Sequence, residues 1–119
     1  MISNSVLDAA LNKIASATAI HITVADPADR DAAIANSMAS YAPSFSAIAE
    51  ATGGGRKITK QAGSDSAAEA GGTPGFRAYV DATELLYSEP VGAGSTDIAA
   101  GGEVNDGAST ITIGDPTFS

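Results

Sequence analysis

The chain has 119 residues with no Cys and no Trp, and its six Lys or Arg stand against fourteen Asp or Glu for a formal net charge of −8. The length fits one domain, residues 1–119, and the lack of Cys excludes a disulfide framework, a thiolate nucleophile and cysteine-ligated zinc. An acidic chain with six scattered bases is poorly suited to neutralising phosphates, which argues against nucleic acid as a partner, and no run of 18 apolar residues is present to suggest a membrane span.

The first predicted element is a helix from about Ser5 to Ala15. Leu7, Leu11 and Ile14 recur at i, i+4 and i+7, with Ser3 or Ser5 as N-cap and Asp8 near the start, where it complements the helix dipole. Asp8 also sits where a secretory leader would need an apolar run, so residues 1–18 read as a helical segment instead. Ile20, Ile22 and Val24 alternate with His21 and Thr23, the period of a half-buried strand. Asp26-Pro27, followed by Asp29 and Asp31, reads as the capped start of a second helix near residues 27–40, whose apolar face is mostly alanine with Ile34 and Met38.

From Tyr41 onward, short apolar runs alternate with Gly, Pro, Ser and Thr, a strand-and-turn texture. The predicted strands are 46–49, 56–61, 75–81, 84–89, 97–99 and 109–114, with 76–80 and 85–88 forming a hairpin. Residues 63–75 and 92–107 read as loops within the domain. The expected fold is mainly β: a β-sandwich or jelly-roll-like body over residues 19–119, interrupted by an alanine-rich insertion at about 27–42. Hydrophobic residues make up 44% of the chain but alanine inflates that share, so the core should be small and open to stabilisation by self-association or by docking on an assembly.

The chain carries few signs of chemistry. Gly53-Gly54-Gly55-Arg56-Lys57 suggests a phosphate cradle, but a P-loop needs Gly-Lys-Ser/Thr entering a helix, whereas here Arg56 intervenes and a strand follows. The glycines read as a turn. His21 is the sole histidine and has neither a second imidazole nor a recognisable nucleophile, so it reads as an ordinary strand residue. Asp26, Asp29 and Asp31 lack the glycine and distal Glu of an EF-hand loop, and Glu103-Val104-Asn105-Asp106-Gly107 reads as a turn. No catalytic, metal or cofactor residue is assigned.

Charge is the stronger signal. All six bases lie at or before Arg77, and residues 78–119 hold seven acids: Asp81, Glu84, Glu89, Asp97, Glu103, Asp106 and Asp115. Such asymmetry suits a partner surface better than a reaction. The expected contact residues are Arg56, Lys57, Lys60 and Arg77 on one side and Asp97, Glu103, Asp106 and Asp115 on the other, complementary between neighbouring copies.

The order of several segments resembles a family of small structural proteins from tailed-bacteriophage and prophage virions. These segments are Leu7-Asp8-Ala9-Ala10-Leu11-Asn12, Ile20-His21-Ile22 running into Ala25-Asp26-Pro27, Gly55-Arg56-Lys57-Ile58-Thr59, Gly72-Thr73, Ala78-Tyr79-Val80-Asp81 with Leu85-Leu86, and Ile111-Thr112-Ile113-Gly114-Asp115-Pro116-Thr117. The chain departs from that pattern at 29–42, where a shorter loop is usual, and at Arg77, where an aromatic is common. The resemblance implies a β-rich accessory protein of the virion with no enzymatic activity and no cofactor, made in the host cytoplasm. It would be a capsid decoration or cement protein that bridges major capsid subunits and associates with its own copies. A tail or baseplate component is the alternative, and a glycan- or receptor-binding module a third, disfavoured by the few aromatics.

Overall fold

A computed structural model describes residues 3–51, 54–91 and 97–114. Among the described residues, eleven elements run in the order α1 (Asn4–Ala15), β1 (Ala19–Thr23), α2 (Arg30–Ala35), β2 (Ala39–Tyr41), β3 (Ala49–Glu50), β4 (Arg56–Lys60), β5 (Gly63–Asp65), β6 (Phe76–Val80), β7 (Leu85–Pro90), β8 (Val104–Asp106) and β9 (Ser109–Ile113). The strands form three antiparallel sheets: β2-β1-β6-β7, β3-β4-β9, and β5-β8. The protein is mainly β with a short N-terminal helix, as the sequence leads one to expect.

The two larger sheets share a core. Ile20, Ile22, Tyr41 and Tyr79 project from one face of β2-β1-β6-β7 and meet Ile58 and Ile111 of the second sheet, Val104 of the third, and Leu11 and Ile14 of α1. The register makes this possible: Ile20 lies opposite both Tyr41 and Tyr79, and Ile58 lies opposite Ile111, so the period of two keeps these residues on the inner side. Tyr79 is fully buried, with its ring edge-on to Tyr87 at 5.5 Å. A smaller cluster on the opposite face gathers Ala33 of α2 with Ala78 and Val80, so α2 covers the outer side of the sheet.

α1 begins where the apolar period predicts, but its N-cap Ser3 makes no side-chain cap bond. Asp8 does not serve the helix terminus: its carboxylate takes Nε of Arg56 at 2.8 Å, tying α1 to β4. The second helix is shorter than the expected 27–40. Asp29, not Asp26, caps it by accepting from the Ala32 amide at 2.8 Å, while Asp26 accepts from the Ser88 hydroxyl. After Ala35 the chain turns into β2, because Ala39 and Tyr41 have buried places opposite Ile22 and Ile20. The segment expected as an alanine-rich insertion is therefore one helix plus an integral strand.

Three further expectations change. Residues 63–65 and 104–106, both read as loop, pair with each other as β5 and β8. Residues 97–99 contribute a single bridge, Gly72 to Ile98, and no strand. The predicted strand 46–49 runs beside β4 in pieces, through the Ser46 amide to Thr59 O at 2.9 Å and then as β3. The hairpin is as predicted, with Asp81 Oδ1 accepting from the amides of Thr83 and Glu84, both at 2.8 Å, to form the turn.

Candidate functional site

Three strands from three sheets bring charged side chains to one buried point. Arg77 shares its strand face with Tyr79, Lys60 shares its face with Ile58, and Asp106 shares its face with Val104. The Lys60 side chain is 0% exposed, Asp106 is 7% and Arg77 is 10%. Arg77 places Nε 2.9 Å and 2.7 Å from the two Asp106 oxygens and its second terminal nitrogen 2.6 Å from Oδ1. Lys60 Nζ donates to Gly107 O at 2.6 Å, to Tyr41 Oη at 2.9 Å and to Asp106 Oδ2 at 3.3 Å, which occupies all three of its protons. Tyr41 Oη in turn donates to Asp106 Oδ2. Glu89 joins from β7, accepting from Tyr79 Oη at 2.5 Å and from the Ser109 hydroxyl at 3.0 Å, with Arg77 at 3.8 Å.

The cluster holds two bases and two acids and is electrically balanced. Burying an ion costs several kcal/mol after relaxation, on the order of what a good pairing returns, so the arrangement is tolerable only because the polar atoms are this fully engaged. Burial alone would push Asp106 up, but the hydrogen bonds from Arg77 and Tyr41 and the charges of Arg77 and Lys60 outweigh it and hold the carboxyl below the usual range. Burial lowers Lys60 from its free value despite the attraction of Asp106, and burial with the Asp106 bond pushes the Tyr41 hydroxyl far up. With every ammonium proton donated and the carboxylate chelated by a guanidinium, the cluster clamps three sheets together.

Lys60, Arg77 and Asp106 were expected at a contact surface, and the structure places them inside, neutralising one another within the chain. Arg56 is also spoken for, by Asp8. Lys57 points to the outer face of its sheet between Ala49 and Thr112. Asp97 and Glu103 are exposed, and Asp115 lies outside the described residues. The acids after Arg77 do not form one face: Glu89 and Asp106 go to the cluster, Asp81 and Glu84 meet Lys13 at the hairpin turn, and Asp97 and Glu103 stand elsewhere. His21 Nδ1 lies 2.9 Å from the Ser37 hydroxyl, and that hydroxyl lies 3.0 Å from Ala39 O. A single hydroxyl proton serves only one of these, so when it goes to Ala39 the imidazole is protonated on Nδ1.

Of the predicted glycine turn, Gly54 and Gly55 behave as turn residues, and Gly53 lies outside the described residues. Gly54 and Gly55 have φ of 105° and 88°, and a Cβ on Gly55 would lie 2.2 Å from Ile113 O. A groove of about 460 Å³ opens beside the cluster, with Arg77 and Asp106 in its lining. Among the described residues no group of three or more His, Cys, Asp or Glu could hold a metal ion. No protein-family model matches the chain, and neither a curated protein nor a solved structure does so.

Proposed function

We propose that this chain is a non-enzymatic structural protein of a bacteriophage virion, a decoration or cement protein that binds the capsid by bridging major capsid subunits. The observation that carries the reading is where the bases go. Lys60 and Arg77 are buried against Asp106 and Glu89, so the rest of the chain presents four bases against twelve acids. Of those four, Arg56 is paired with Asp8, and Lys13 with Asp81 and Glu84. The outside is thus more one-sided than composition suggests. A small acidic domain of this kind stays dispersed at high concentration and is steered to a basic surface when one is assembled.

The resemblance to small virion proteins supports the same reading. Four of the five described aromatics weigh against a glycan module, because Tyr41 and Tyr79 are buried and Phe45 and Tyr87 are half-buried against the core; Phe76 is half-buried outside it. The test is co-sedimentation of the purified chain with capsids assembled without it, at rising salt. Saturable binding that weakens with salt is expected; no binding at low salt sinks the proposal, and salt-independent binding removes charge from the explanation.

A further inference from the structure

We propose that the groove beside the cluster receives a lysine or arginine side chain of the protein partner. The inference rests on the reading of this chain as a binding protein with a basic partner, and it names where and how that partner is gripped.

The groove's lining is mixed, polar and apolar in comparable share, with acidic residues among the polar ones. Pro74, Val91, Ile98 and Val104 line it together with Asp97 and Glu103, and its volume of about 460 Å³ is within the range of sites that enclose a small group. At its base the Arg77–Asp106 pair is already neutralised, so that pair adds no net charge. The two exposed carboxylates set the sign. An anionic group would meet like charge, and a purely apolar group would desolvate Asp97 and Glu103 without compensation. A basic side chain satisfies both parts, because its methylene stem lies along the apolar part of the lining while its cationic head reaches the carboxylates.

The rim is built in advance. Gly72 and Ile98 exchange both backbone bonds, at 2.9 Å and 2.7 Å, and the following turn is tied down by Gly101 N to Ala68 O at 2.7 Å and Ala68 N to Gly102 O at 2.8 Å. Thr73 donates to Asp97 Oδ1 at 2.7 Å, which orients that carboxylate and leaves Oδ2 without a hydrogen bond from the described residues. A prepared acceptor avoids part of the ordering cost of binding.

The experiment is an NMR titration of the full ¹⁵N-labelled chain with N-acetyl-lysine methylamide, with N-acetyl-norleucine methylamide as the uncharged match. The lysine probe should move amides of Thr73, Ile98, Val104 and Asn105 and bind about tenfold or more tightly than norleucine. The double variant Asp97→Asn/Glu103→Gln should lose about tenfold, whereas Asp31→Asn/Glu50→Gln, with the same change in net charge at exposed sites elsewhere, should stay within about twofold. Retained spectral dispersion checks the fold of both. Absence of groove shifts up to the probe's solubility, equal binding of norleucine, or equal losses in the two variants overturns the inference. Failure here is distinguishable from failure of the wider reading. If Asp97→Asn/Glu103→Gln protein still coats capsids fully, the groove is not the grip but the chain still decorates. If lysine binds the groove while the chain never binds capsids, the virion reading falls and the groove stands.

Discussion

Asp106 is the acceptor that both buried bases share, which makes it the most sensitive single position in the cluster. Among the described residues, Asp106→Asn leaves Lys60 and Arg77 with Glu89 as their only nearby compensation, and the expected cost is about 3–5 kcal/mol in urea unfolding. Lys60→Met removes a charge but keeps Arg77 on Asp106, leaving Gly107 O and Tyr41 under-satisfied, so its cost should be smaller, about 1–3 kcal/mol. The reverse order would show that the pairing does not govern the site. Because the Asp106 carboxyl is held below its unfolded value of about 3.9, its contribution is complete above that pH and is lost as pH falls through the folded value. The urea midpoint should therefore drop steeply below about pH 4, and the drop should be shallower in Asp106→Asn. His21 is pushed down chiefly by burial, with Arg30 assisting and Glu69 opposing. Its ring should titrate by NMR with a midpoint under about 6.5, and stability should fall as pH drops from there toward the folded value, since the unfolded chain takes the proton first. This buried cluster was within reach of the sequence. Lys60 is in phase with Ile58, Arg77 with Tyr79 and Asp106 with Val104, so the alternation that places the apolar residues inside places these charges inside too. Counting charge as surface hid it, and the pairing partner of each was a matter of tertiary geometry that no local spacing encodes.

At the scale of elements, the reliable signals were those with several residues in phase. α1 has three apolar residues on one stripe, β1, β4 and β9 set their more buried residues two apart, and β6 and β7 are short apolar runs flanking a turn, so they were legible. β2, β5 and β8 have three residues each, too short for a period to register, and they exist because they meet partners distant in sequence. The second helix was overextended because alanine propensity does not reveal that Ala39 and Tyr41 have buried places on β1. Two changes probe this level. Asp29→Ala removes the cap of α2 and should cost about 1 kcal/mol, with hydrogen exchange rising locally over 30–35. Gly63→Ala is the more severe, because its Cβ would fall 2.3 Å from the Tyr41 ring, and that ring is pinned by its bonds to Lys60 and Asp106. It should cost about 1–3 kcal/mol by overpacking, and an unchanged urea midpoint would mean that Tyr41 yields freely.

For the whole molecule, folding sorts the charges. Two of the six bases vanish into the core with two acids, so the remainder keeps the net −8 but with three acids for each base. The asymmetry along the chain, with its seven late acids, does not survive as a face, but Asp97 and Glu103 persist as the exposed pair beside a groove. An acidic exterior predicts association that is fast at low salt and slows as salt rises, since steering is screened beyond a length of about 10 Å at 0.1 M. Stopped-flow binding to capsids measures this, and a rate independent of salt would show that the exterior charge serves solubility alone. Whether the chain decorates a head is decided by quantitative proteomics of purified particles made by the genome that encodes it. A decorating protein should be present in a copy number on the order of the capsid lattice, hundreds per particle, as repeated contacts on a symmetric shell require. A handful of copies at the tail, or none on the particle, would contradict it.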